Sequence, residues 1–160
     1  MPLAPGSPAP DAVVEDAQAR APVALGGLWA SGPALLFVYK ADCAASELAA
    51  AALPHLAALP GLTVAALAQE DAATAAAFGA AHGWPGRVKA LLDAEPWTAS
   101  DRLQVLVTPT WLLLERGGRV AKVCEGWSRA DAEALAAQAA ELCGAPPPAL
   151  PEGGAGFRPG

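Results

Sequence analysis

The sequence has little of what marks several common functional classes. Ten Lys and Arg stand against sixteen Asp and Glu, giving a formal net charge of -6, and the cations do not cluster. Phosphate backbones and anionic membrane surfaces need several cations in register, so nucleic acid and membrane are excluded as expected partners. Histidine is rarer still: His55 and His82 stand alone, with no second ligand or nucleophile at a useful spacing, and are read as helix-face or helix-end residues. Three cysteines, at 43, 124 and 143, make an odd number without metal-like spacing, so neither a disulfide framework nor a zinc site is implied, and no metal or cofactor is expected. No apolar run is long enough to cross a bilayer, and Met1-Pro2-Leu3-Ala4-Pro5-Gly6 has neither a basic nor an apolar leader pattern, which gives the expectation of a cytoplasmic protein. At 160 residues the chain fits one domain with a core that needs no staples.

What is present is concentrated between Leu35 and Leu48. An apolar run, Leu35-Leu36-Phe37-Val38-Tyr39, ends in the polar bend Lys40-Ala41-Asp42, and Cys43 stands where an alanine-rich helical pattern begins. The cysteine is therefore expected at a strand-to-helix junction. Unpaired helix N–H groups and the positive end of the macrodipole favour thiolate over thiol there, and typically bring a cysteine pKa from ~8.5 to roughly 3.5–7.5. Open α/β sheets bind ligands at the carboxyl ends of their strands, which agrees with an active site at Cys43. The competing reading is a small, inert core residue. Ser46 follows one helical turn later, where a second sulfur would complete a Cys-x-x-Cys redox pair. Its hydroxyl can hydrogen-bond a thiolate but cannot displace a disulfide sulfur, so the expected chemistry stops at a mixed disulfide. Lys40 is a candidate for lowering the Cys43 pKa, although a solvated strand-end lysine is the simpler reading. Asp42 would act in the opposite sense.

Along the chain, residues 1–10 are rich in Pro, Ala, Gly and Ser and read as a flexible arm, 11–144 as the folded domain, and 145–160 as an irregular Pro/Gly-rich tail. Ala12 to Glu15 and Ala21 to Leu25 flank a polar stretch and suggest a hairpin over one sheet edge. Ala34 to Tyr39, apolar on both faces, is a central strand. Ala44 to Leu59 is helical with an interruption at Pro54, Leu62 to Leu67 is a second buried strand, and Asp71 with Thr74 and Phe78 opens another helix that stops near Gly83. Val88 to Leu92 reads as a short strand and Pro96 to Leu103 as a short helix. Trp111 to Glu115, a glycine turn, and Val120 to Cys124 form a hairpin signature, and Ser128 caps a last helix running to about Cys143. Cys124 and Cys143 are alternative resolving thiols, with core packing the favoured reading. Trp97, Trp111 and Trp127 are assigned to the core, with Trp97 or Trp84 as candidates to line a groove beside Cys43.

At four places the chain resembles the thioredoxin-like redoxins, in particular the TlpA-type thiol:disulfide oxidoreductases that border the AhpC/TSA peroxiredoxins. These are the segment around Cys43, Ala66 to Asp71 with Thr74 and Phe78, Val107-Thr108-Pro109-Thr110, and Glu125-Gly126-Trp127. The resemblance implies a thioredoxin-like α/β fold: a central mixed sheet flanked by helices, with an N-terminal β-hairpin extension. It also implies a cis Pro109 facing Cys43, with Thr108 offering backbone groups to an extended substrate strand. Two departures stand out. Cys-x-x-Cys has become Cys-x-x-Ser, and Phe37 occupies the strand position of a buried carboxylate that moves a proton in thioredoxins proper. The function implied is a monothiol thiol:disulfide oxidoreductase whose Cys43 forms mixed disulfides with a protein or low-molecular-weight thiol partner. Catalytic roles fall to Cys43 and Ser46, and substrate binding to Thr108, Pro109 and Asp42. The alternatives are a degenerate peptide-binding or scaffold module, a one-cysteine peroxidase, or a dithiol reductase carrying an engineered Ser46. Lys40 and Leu36 stand where the peroxidase family places a hydroxyl residue and a proline, which counts against the peroxidase.

Overall fold

In the computed structural model, residues 2–152 and 156–160 are described. Ala34–Tyr39 is buried at every position, and the fold is built around it. A strand apolar on both faces needs cover on both, and the chain supplies two separate clusters. Numbering in chain order, the strands are β1 (Val13–Asp16), β2 (Ala21–Ala24), β3 (Ala34–Tyr39), β4 (Thr63–Ala68), β5 (Lys89–Leu92), β6 (Thr110–Leu114), β7 (Val120–Glu125), β8 (Trp127–Ser128) and β9 (Phe157–Arg158). The helices are α1 (Ala44–Ala50), α2 (Leu53–Ala57), α3 (Ala72–Ala81), α4 (Thr98–Arg102) and α5 (Arg129–Cys143), with a 3-10 turn at Leu25–Leu28. Seven of the described strands form one mixed sheet in the order β2-β1-β5-β4-β3-β6-β7. β3, β4 and β5 are parallel, and β6, β7 and the β1–β2 hairpin run antiparallel to their neighbours.

The two-residue period of the strands sorts the core. Leu35, Phe37 and Tyr39 face α1, α2, α3 and α5 together with Trp111 and Leu113 of β6. Leu36 and Val38 face the opposite cluster of Leu25, Trp29, Leu103, Leu112 and Leu114. Each large apolar side chain so buried contributes about 1.5–3 kcal/mol. Phe37 packs edge-on against Trp84 and Trp111 and stacks with Tyr39, so an aromatic cluster fills this face of β3.

The helix after Cys43 breaks where proline requires it. α1 stops at Ala50, and Pro54 lies in the first turn of α2, where a missing N–H costs nothing. Asp71 and Ser128 cap α3 and α5 through Thr74 N (2.7 Å) and Asp131 N (3.3 Å). In the β6–β7 turn a Cβ on Gly118 would stand 2.5 Å from Trp29 Nε1, so only glycine admits that indole. The hairpin expected near the amino end is β1–β2, and it covers the β5 edge.

Both terminal segments differ from their sequence reading. The residues read as a flexible arm are hydrogen-bonded along β7: Gly6 N to Val120 O (2.7 Å), Val120 N to Ser7 O (2.9 Å) and Ala9 N to Gly118 O (2.8 Å). The reason is that β7 ends the sheet and leaves unpaired edge groups, which an extended Pro/Ala segment satisfies without needing a hydrophobic pattern. Residues read as an irregular tail include β9, which pairs with β8, and the Arg129 guanidinium donates to Pro151 O (2.8 Å). The part of that tail at 153–155 lies outside the described residues.

Candidate active site

Cys43 occupies the N-cap of α1. Its backbone is extended (φ -99, ψ 120), its carbonyl accepts the first helical bond from Glu47 N (3.0 Å), and its sulfur accepts from Ser46 N at 3.5 Å. The geometry matches the Asp71 and Ser128 caps, with sulfur in place of oxygen. The bend before it is held twice: Cys43 N donates to Lys40 O (3.3 Å), and Ala41 N donates to the Glu70 carboxylate (3.0 Å), which reaches across from the end of β4.

The proline loop closes the site. The Thr108–Pro109 peptide is cis. The Cys43 thiol donates to Thr108 O at 3.2 Å, which puts the proline loop against the sulfur. Gly126 N donates to Pro109 O (2.8 Å), while the Trp111 indole donates to Gly126 O (3.2 Å), so Gly126 is tied to the loop through its amide and to β6 through its carbonyl. Thr110 ties the loop internally, its hydroxyl donating to Val107 O (2.8 Å).

Burial pushes the half-buried Cys43 thiol up, but the hydroxyl and amide of Ser46, the Thr108 hydroxyl and the Ala45 amide outweigh it, and the net pKa lies below the ordinary thiol value. Ser46 Oγ is fully buried and has no hydrogen-bond partner among the described residues. In the thiol form Cys43 already gives its proton to Thr108 O. The sulfur already accepts from Ser46 N; ionisation makes it a stronger acceptor, and the Ser46 hydroxyl favours the ionised form.

Of the residues singled out by sequence, Cys43, Ser46, Thr108 and Pro109 are brought together. Asp42 is exposed on the bend. Lys40 does not act on the sulfur: its ammonium lies 4.8 Å from the centre of the Trp97 ring, and it is absent from the groups that shift Cys43. The strand end turns that side chain toward the opposite wall, so the pKa-tuning assignment is corrected. Trp97 itself, half-buried with φ 57, is not a core residue, whereas Trp84, Trp111 and Trp127 are buried. Cys124 is buried in β7 and Cys143 half-buried at the end of α5, and all three thiols are free. His82 packs on Phe78 beside Trp84, and burial holds its pKa low; His55 is exposed on α2.

Sequence reasoning offered Trp97 for a wall beside this site but missed Gln69, Asp93 and Ser100. A cavity of about 430 Å³ is lined by Lys40, Gln69, Trp97, Ser100, Val107 and Thr108, among others. Behind it the buried Asp93 accepts from Ala99 N (3.2 Å), Ser100 N (2.8 Å) and Ser100 Oγ (2.7 Å), and Gln69 Nε2 donates to Ser100 Oγ (2.8 Å). The available signal was a carboxylate just before a short helix. Among the described residues no group of three or more His, Cys, Asp or Glu is placed to hold a metal, and no helix is long and apolar enough to cross a membrane.

No protein-family model and no curated protein sequence matches the chain. Solved structures do. One described as a candidate thiol:disulfide interchange protein DsbE from Chlorobium tepidum is 23% identical, with 88% of this chain and 99% of that one covered at a TM-score of 0.75. A secreted Mycobacterium tuberculosis disulfide oxidoreductase homologous to Escherichia coli DsbE is 20% identical, covering 82% and 96%, at 0.66. Peroxiredoxin 5 from Alvinella pompejana is 19% identical, covering 77% and 89%, at 0.59. The fold is thioredoxin-like, a central mixed sheet flanked by helices, and its structural neighbours include thiol:disulfide oxidoreductases.

Proposed function

We propose that the chain is a monothiol thiol:disulfide oxidoreductase whose Cys43 forms mixed disulfides with a disulfide-containing protein or a low-molecular-weight thiol partner. The observation that carries this reading is a thiol at the N-cap of α1 whose sulfur accepts from Ser46 N and donates to the Thr108 carbonyl of the proline loop. The thiolate attacks one sulfur of a substrate disulfide; a Cys43–substrate bond forms, the substrate S–S bond breaks, and the second substrate sulfur leaves as a thiolate that takes up a proton. Loss of the Cys43 proton frees the Thr108 oxygen to accept an N–H from an extended substrate strand, while Pro109 and Gly126 frame the approach. No second sulfur stands at position 46 to resolve the adduct, so an external thiol attacks the mixed disulfide and returns the Cys43 thiolate.

The test is alkylation of Cys43 against pH, followed by peptide mass spectrometry after incubation with oxidised glutathione. An inflection below the ordinary thiol range and a glutathione adduct confined to Cys43 are expected. A Cys43 that titrates like a free model thiol and gains no adduct would end the proposal.

A further inference from the structure

Residues 156–160 lie across the mouth of this site. β9 adds to β8 as an antiparallel strand, Trp127 opposite Arg158 and Ser128 opposite Phe157, and Arg129 N, an otherwise orphaned amide in the first turn of α5, donates to Gly156 O at 2.9 Å. Beyond β9 the segment reaches the proline loop. A Cβ built on Gly160 would stand 2.5 Å from Thr108 O and 3.2 Å from Val107 Cβ; one built on Gly126, whose φ is +72, would stand 2.8 Å from Arg158 O and 2.9 Å from Gly160 N. Two glycines thus let two backbones approach where any side chain would hold them apart. The carbonyl that Gly160 abuts is the one that accepts the Cys43 thiol.

We propose that residues 156–160 act as a tethered pseudosubstrate, an extended strand seated in the groove that a polypeptide disulfide must enter to reach Cys43. This rests on the function proposed above and names its substrate class: extended polypeptides that add to the β8 edge, rather than small disulfides, which reach the sulfur past the segment. Strand addition uses main-chain groups, so a segment with no special side chains is competent to occupy the groove. Being covalently attached, it competes at an effective concentration on the order of millimolar, so seating with a dissociation constant of about 0.25 millimolar slows substrate entry about fivefold.

The experiment uses the full chain and its Gly160→Val variant, since a branched side chain at 160 collides with Thr108 O while leaving the core untouched. Three quantities are compared: mixed-disulfide formation with an extended peptide carrying an activated disulfide, alkylation by iodoacetamide, and amide exchange at Arg129. The variant is expected to react with the peptide at least about fivefold faster, to alkylate at an unchanged rate, and to lose protection at Arg129. Equal peptide rates in the two chains would overturn the pseudosubstrate and leave the proposed function standing. Equal Arg129 protection would overturn it through the docking alone. If Cys43 ignores the peptide in both chains, the pseudosubstrate is overturned; if it also gains no glutathione adduct, the proposed function falls with it.

Discussion

Cys43 and Cys124 pack against the same apolar cluster on one face of the sheet and meet opposite electrostatic fates. Cys124 lies in β7 opposite Trp111, 8% exposed, and burial pushes its thiol up to about 11, with Lys122 lowering it and Asp131 raising it by smaller amounts. Cys43 pays the same kind of desolvation cost, yet its pKa moves the other way because donors from Ser46, Thr108 and Ala45 are aimed at it. A sulfur in a core is inert by default; oriented N–H and O–H groups reverse that, and they exist here because the residue caps a helix and faces the proline loop.

The comparison breaks most visibly on substitution. Cys43→Ser should abolish mixed-disulfide capture, a loss of about 100-fold or more against oxidised glutathione by mass spectrometry, while Cys124→Ser should leave capture within about twofold. Capture that follows Cys124 instead would reverse the roles.

The next largest effect belongs to stability at alkaline pH. The folded pKa of Cys124, about 11, lies above its ordinary 9.0, so folding favours the protonated thiol; that stabilisation is complete below pH 9 and is lost as pH rises through 11. Cys124→Ala should reduce the fall in unfolding free energy between pH 9 and 11 by roughly 2 kcal/mol, read by denaturant titration across that range. Cys43 has the opposite sign: its depressed pKa adds stability above the ordinary thiol value, which is lost as pH falls through the folded value.

Smaller still is Ser46→Ala. Removing the hydroxyl should raise the Cys43 pKa and slow alkylation at neutral pH about threefold to tenfold. The same change should leave thermal stability of the reduced protein unchanged or raised by up to about 1 kcal/mol, because it deletes a buried group without a partner. A destabilised variant with unaltered reactivity would show that the hydroxyl serves packing alone. The smallest effect is expected for Lys40→Ala: the Cys43 inflection stays in place, and only the contact with Trp97, about 0.5–1 kcal/mol, is lost.

Much of this was legible before any coordinates. The six-residue apolar run ending at Tyr39, the glycine turn between β6 and β7, the Asp71 and Ser128 caps and the Pro54 break are local signals, each determined within about a turn or a strand length, and the structure carries all of them. The placement of Cys43 at the strand-to-helix junction was legible for the same reason. The sequence by itself therefore determined the order of elements and which sulfur heads a helix. Only the tertiary structure decided what surrounds that sulfur: that Thr108, 65 residues away, accepts its proton, that Glu70 holds the bend, that Lys40 turns to Trp97, and that residues 156–160 reach back to Thr108 and Gly126. The first and last segments were misread because their partners are main-chain groups at sheet edges, and a backbone hydrogen bond leaves no mark on residue type.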